Sequence, residues 1–422
     1  MADDARVMLT LAALTYRGFQ DVLPGEPHGA IVKRALVNGL ETLEPVRGEW
    51  DLVWGPVTSR IPLAVFDSNA MYVVRSRREP YRYVVAIRGT NPIASSDWLF
   101  GDLLVGTTMR WPWSDAGGAA ISTSTALGLV ALLDMRWRPS SRLGRFADLA
   151  VMPTPLRERY DAVVHAGRAS LYGVAPTDLS QPSALTSQAE RIFDHWISHR
   201  SELKGLRAEL QNAVAALRVE PSDLRRKWLP PEQRYEGVDL LTFLKTEADQ
   251  SRDALEVIVT GHSKGGALAP AMALWLTEAL NSQDAGERWD ERKQATVHCH
   301  AFAGPTPGNS AFAARIDAQL GPRHHHLRNT NDLVTHAWQV DELQQIAALY
   351  GERCQRIAPL VPDVVECVRS LDYRQATTGV TTFPGTLDDR RPLAVEGIYQ
   401  HLDAYLAYVG LWPKINAVTF FI

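Results

Sequence analysis

Gly261, His262, Ser263, Lys264 and Gly265 form a GxSxG pentapeptide between a β-branched run, Leu255 to Thr260, and a long apolar helical pattern, Ala267 to Leu280. A serine hydroxyl is a poor nucleophile unless it is held clear of a sheet beside a base, which a sharp strand-to-helix turn achieves. Glycine suits positions 261 and 265 because a Cβ at either would strike the neighbouring strand or helix. The following helix aims its N-terminal N–H groups at the reacting carbonyl, so one segment supplies a nucleophile and part of an oxyanion site. The bare pentapeptide also arises by chance in ordinary βα units; the strand before it and the helix after it favour chemistry here.

A nucleophilic serine needs a general base, and the base needs an acid that fixes its tautomer. In elbow-type hydrolases the chain order is serine, then Asp or Glu, then His. Asp332 follows the predicted strand His324 to Asn329, at a carboxyl end of the sheet where catalytic groups gather. Its structural alternative is a loop aspartate capping the next helix. Of the histidines, His298 and His300 lie within a predicted core strand, and His324, His325 and His326 alternate along another. A metal role for that trio lacks further ligands, and no metal is expected. His336 follows Asp332 so closely that it lines the pocket rather than completing the set. His401 remains, at a predicted loop-to-helix junction after the last strand, with an exposed helix-start histidine as the alternative. Two oxyanion donors are needed: the Lys264 N–H is one, and Thr90, just after a strand ending at Ile87, is the other unless it forms a simple ST-turn.

Such groups need a sheet to hold them. Trp50 to Val57, Ala70 to Arg75, Arg82 to Ile87, Ala119 to Thr125, Leu255 to Thr260, Thr296 to Ala303, His324 to Asn329 and Val380 to Phe383 have strand character. Helical spacing marks Ala5 to Tyr16, Ile31 to Leu43, a helix from Ala126 and another over Gly237 to Asp249. This alternation implies an α/β fold with a mainly parallel central sheet flanked by helices. Residues 139–235 break the pattern: they are polar, Arg-rich and helical without a convincing strand, and read as a large helical insertion in one domain spanning 1–422. Its apolar residues Phe193, Trp196, Ile197 and Trp228 are more readily core than ligand contacts.

A net charge of −4 over 422 residues, with no basic block, excludes an electrostatic grip on nucleic acid. No apolar run reaches the ~18 residues of a membrane span, so a soluble protein is expected. The N-terminus opens acidic and lacks the features of a signal peptide, so it reads as the first helix; both a cytoplasmic and a secreted location, the latter with a leader removed, stay open. Three cysteines are too few for a disulfide framework: Cys299 reads as core filler, while Cys354 and Cys367 are either free or a single bridge.

Four separated motifs, IRGT with DWLFGDL (Ile87 to Leu103), VTGHSKGGALA (Val259 to Ala269), HAFAGPTPGNSAFA (His300 to Ala313) and NTNDLV (Asn329 to Val334), resemble in order those of the class 3, or fungal-type, triacylglycerol lipases. The resemblance covers about Tyr72 to Ala126 and Asp239 to Tyr408, and His401 fits the position of the family's base. It implies an α/β-hydrolase fold, with Ser263 as nucleophile, Asp332 as acid, His401 as base, and Thr90 plus the Lys264 N–H as oxyanion donors. It also implies that Asp102 orients the Thr90 side chain and that a lid spans Asn91 to Trp113. Two departures stand out. Lys264 replaces a usually apolar residue, although any residue there keeps its backbone N–H, and the 139–235 insertion has no counterpart. The insertion is either a cap over the acyl-chain entrance, a dimer surface or a stability element.

The resulting expectation is a serine esterase or lipase acting on carboxylic esters, foremost acylglycerols, through an acyl-enzyme and without a cofactor. A soluble carboxylesterase or a phospholipase would use the same residues, and a non-catalytic hydrolase-fold binding protein is the reading of another class. The lid residues Ile93, Trp98, Leu99, Phe100, Leu103, Leu104, Trp111 and Trp113 suit transient contact with a lipid interface, with core packing as the competing explanation.

Overall fold

The computed structural model describes residues 2–17, 28–59, 69–89, 104–106, 108–111, 113, 118–133, 135, 238–283 and 288–412. The proposed insertion 139–235, most of the proposed lid, Thr90 and Asp102 therefore lie outside the described residues.

Seven strands build the central sheet: β1 (Trp50–Ser59), β2 (Asn69–Ser76), β3 (Arg82–Ile87), β6 (Glu256–His262), β7 (Thr296–Phe302), β8 (His324–Asn329) and β9 (Val380–Phe383), in the spatial order β1-β2-β3-β6-β7-β8-β9. The first three pair antiparallel, and every pairing from β3 to β9 is parallel. Side-chain alternation divides the two faces. Val73, Val85, Val257, Val259 and Val297 enter one core, with α3 (Thr123–Leu133), α4 (Leu240–Gln250), α5 (Lys264–Asn281) and α6 (Ser310–Gln319) on that side. Val74, Val84, Ala86, Ile258 and Leu327 enter the other, against α1 (Ala2–Leu14), α2 (His28–Thr42) and α10 (Asp403–Tyr408). Burial on both faces explains why the strands read as continuous apolar runs.

One element differs from the expected strand Ala119 to Thr125. Only Ala120–Ser122 is extended (β5), and it pairs with β4 (Thr108–Arg110) in a separate antiparallel ribbon. The helix starts early because Ser122 caps it, its Oγ accepting the Thr125 N–H at 2.9 Å. None of the three cysteines is in a disulfide; Cys354 packs with Tyr350 and Ile357, whereas Cys367 packs in a different cluster around Val365 and Val368. Among the described residues no helix is long and apolar enough to cross a membrane.

Several histidines are built into this sheet as neutral side chains. Burial holds His300 in β7 down to about 3 and pushes His324 and His326 in β8 below their usual value. His262, at the end of β6, is likewise held down to about 3, first by burial and then by the neighbouring His401. Below the ordinary histidine value of 6.5 the unfolded chain takes up protons that the folded chain refuses, so stability falls as pH drops from 6.5 toward 3 and is insensitive to these groups above 6.5. His262 and His300 should each cost about 2 kcal/mol at pH 5. Thermal melts at pH 7.5 and 5.0 should show a clear fall in midpoint, reduced in a His300→Leu variant; equal midpoints would refute the account.

Candidate active site

The chain leaves β6 at His262 and enters α5 at Lys264, so Ser263 alone makes the turn, with φ 62° and ψ −128°. A non-glycine residue in that region carries roughly 1–3 kcal/mol of strain, which the surrounding packing must maintain. Two glycines make the hairpin possible: a Cβ on Gly261 would lie 2.2 Å from the Gly265 carbonyl oxygen, and one on Gly265 would lie 2.5 Å from that of Ile87. Ser263 is half-buried, and Lys264 is the first residue of α5, where a helix leaves its N–H groups without internal acceptors. The Lys264 N–H thus stands beside the serine at the positive end of an eighteen-residue helix.

Asp332 sits just past β8 and is fully buried. Its Oδ1 accepts the Val334 N–H at 2.9 Å and caps the short turn Leu333–His336, so the capping role is real. Its Oδ2 accepts from His401 Nδ1 at 2.8 Å and from the Tyr405 hydroxyl at 3.0 Å. One carboxylate therefore serves as both cap and partner of the histidine. Burial, reinforced by the Asp332 charge, pushes the Tyr405 hydroxyl well above its usual range and keeps it a donor.

His401 lies at the C-terminal end of helix α9 (Leu393–His401), not at the start of a helix as expected. The chain kinks at Leu402 (φ −125°, ψ −72°) before α10 begins, which leaves the last carbonyls of α9 open. His262 Nε2 donates to the His401 carbonyl at 2.8 Å, and Asn329 Nδ2 donates to that of Gln400 at 2.8 Å. The residue before Ser263 thus binds the main chain of His401, and their rings lie 4.7 Å apart between centroids. On its other side the His262 ring meets the Tyr16 hydroxyl, 3.4 Å from Nδ1, and the same hydroxyl lies 3.3 Å from the His262 carbonyl oxygen. With its Nδ1–H donating to Asp332, a neutral His401 keeps a lone pair on Nε2 that can accept a proton.

The structure therefore brings Asp332 and His401 together and ties His401 to the residue next to Ser263. Thr90 and Asp102 lie outside the described residues, but Gly89 touches the elbow: a Cβ there would lie 2.3 Å from the His262 carbonyl oxygen and 2.9 Å from Ser263 Cβ. His336 is buried and bonds the Thr330 carbonyl through Nε2 at 3.0 Å. Of the residues named for the lid, Trp111 is fully buried and gives its indole N–H to Glu278 of α5 at 2.7 Å, and Trp113 packs beside it with centroids 4.9 Å apart. These two tryptophans belong to the core. Among the described residues no group of three or more His, Cys, Asp or Glu side chains is arranged to hold a metal ion.

Sequence reasoning missed Tyr405, Tyr16, Asn329 and the role of His262. Tyr405 had a signal, since it follows His401 by about one helical turn; Tyr16 had none, being 246 residues from its partner.

Residues 239–342 match the family described as Lipase (class 3). No functionally curated protein matches the chain in sequence. Among solved structures, M37 lipase is 23% identical with a TM-score of 0.67, covering 99% of this chain and 96% of its own, a likeness of fold. More remote are a triacylglycerol lipase from Penicillium expansum (11% identical, TM-score 0.37, 94% and 90% covered) and the Lip2 lipase from Yarrowia lipolytica (11%, 0.36, 93% and 82%).

Gly89→Ala should force the loop off the elbow, lowering stability by about 1–3 kcal/mol through overpacking against main-chain atoms. Reaction of Ser263 with a phosphonate ester should slow at least ~10-fold, since small displacements beside a nucleophile are costly. Wild-type labelling rates, followed by mass spectrometry, would show that Gly89 does not shape the elbow.

Proposed function

We propose that the chain, which matches the class 3 lipases over residues 239–342, is a lipase-like carboxylic ester hydrolase working by the following cycle. Ser263 Oγ attacks the ester carbonyl while His401 Nε2 accepts its proton. Asp332 holds the ring through Nδ1 and stabilises the imidazolium that forms. The tetrahedral oxyanion is held by the Lys264 N–H and by Thr90. His401 then returns its proton to the departing alcohol, leaving an acyl-serine. Water, deprotonated by His401, attacks that ester by the same route, and the carboxylic acid leaves with Ser263 restored.

The observation that carries this reading is the 2.8 Å bond from His401 to a fully buried Asp332, joined to the elbow by the 2.8 Å bond from His262 to the His401 carbonyl. An incidental Asp–His pair would have no reason to be fastened to the residue preceding a strained serine. Each residue has one task in the cycle: Ser263 bonds to the acyl group, His401 moves the proton, and Asp332 fixes the tautomer. Lys264 contributes its backbone, so its departure from the apolar residue usual in the family leaves the oxyanion donor in place.

Acylglycerols are the substrate class the family reading favours, with contact to a lipid interface through the segment Asn91 to Trp113. The location of Trp111 and Trp113 in the core removes two aromatic residues from that contact and gives weight to the second reading, a carboxylesterase for dissolved esters. Rates on emulsified long-chain acylglycerols should exceed those on dissolved short-chain esters if the first reading holds; the reverse order would favour the second. Ser263→Ala should lower kcat by on the order of 10⁴- to 10⁶-fold, and a phosphonate ester should modify Ser263 and no other serine. A mild loss, or no adduct, would sink the enzymatic assignment of this serine.

A further inference from the structure

Asn329, Glu396 and Gln400 are fully buried polar side chains that this cycle does not use. Asn329 ends β8, three residues before Asp332, and Gln400 precedes His401 in α9. Each therefore stands on the element that carries one member of the acid–base pair.

The Asn329 amide uses every hydrogen-bonding position it has. Its Nδ2 donates to the Gln400 main-chain carbonyl and to Gln400 Oε1, both at 2.8 Å. Its Oδ1 accepts the N–H of Asn331 at 3.0 Å and of Gly385 at 2.8 Å. Its own backbone N–H donates to the Tyr405 oxygen at 2.9 Å, and Tyr405 in turn donates to Asp332 Oδ2. Gln400 is held equally firmly, its Nε2 donating to the Thr386 carbonyl at 2.9 Å and to Glu396 Oε1 at 2.6 Å. The buried Glu396 carboxylate is balanced by Arg353 and Arg391 at 3.6 and 3.4 Å.

A side chain with two donors and two acceptors satisfied in one orientation cannot rotate without stranding a buried polar group. The strut it forms runs from the loop of Asp332 to the kinked helix end of His401, where the Gln400 carbonyl would otherwise lack a partner. We infer that Asn329 is a positioning residue, which together with Gln400 sets the separation and orientation of Asp332 and His401. It touches neither substrate nor reacting atoms and acts through the pair. The inference rests on the acid and base assignment proposed above.

Asn329→Leu keeps the branched outline of the side chain, at a larger volume, and deletes all four of its hydrogen bonds. Gln400→Met deletes the side-chain half of the clasp and keeps the bond to the main-chain carbonyl. The expected result is a ~10²-fold fall in kcat for Asn329→Leu and a ~10-fold fall for Gln400→Met, with KM within about threefold of wild type, as for a displaced catalytic group. The low-field proton NMR resonance of the His401 Nδ1–H should shift upfield or broaden in both. Leu320→Ala, at the buried end of α6 in the far core, serves as a control for destabilisation and should leave kcat and the resonance unchanged below its melting point.

Folded variants with wild-type kcat and an unmoved resonance would overturn the inference, as would a Leu320→Ala control that reproduces their changes. If Asn329→Leu fails to fold, Gln400→Met decides by the same two readouts. The underlying assignment fails separately: an active Ser263→Ala enzyme, or a low-field resonance that survives His401→Ala, would remove the pair and the inference together.

Discussion

Helix α9 stops one residue after Gln400, and the way its open carbonyls are closed governs the rest of the site. A helix end in water is solvated at little cost, but this one is buried against the ends of β6 and β8 and must find protein donors. It finds two, His262 for the carbonyl of His401 and Asn329 for that of Gln400. Because His262 adjoins Ser263 and Asn329 precedes Asp332 by three residues, satisfying the helix also gathers the three residues of the proposed cycle. Backbone bookkeeping and active-site geometry are thus one problem with one solution.

The sheet was largely legible in the sequence. The strands at 82–87, 324–329 and 380–383 coincide with their expected bounds because each is an apolar or alternating run closed by a turn. Ser263 was legible because glycines at 261 and 265 report a steric demand that few other arrangements make. The pairing of Asp332 with His401 followed from chain order, although the helix-end setting of His401 did not, since the kink at Leu402 has no glycine or proline to announce it. For Trp111 the sequence left lipid contact and core packing open, because an aromatic side chain looks alike in a core and on a membrane-facing surface; its burial and its bond to Glu278 place it in the core.

What stayed hidden has a common cause. Asn329 and Gln400 are polar residues whose meaning lies in each other, 71 residues apart, and no local pattern encodes such a partnership. The capping of α3 by Ser122 is the contrasting case, a local bond that a finer reading of the sequence would have found.

The contact of Tyr16 with His262 ties the first helix of the chain to the elbow, and Thr260 and Tyr72 strengthen it by donating to the carbonyls of Met8 and Leu11. During synthesis, α1 leaves the ribosome with Met8, Leu9 and Leu11 ready to pack, yet β6 is 246 residues away at the Tyr16 contact. At ~5–20 residues per second the helix waits on the order of ten to fifty seconds for that strand. The helix therefore docks in two stages, first on α2 and β2 and only much later on β6, so its face toward the elbow stays uncovered for most of that interval.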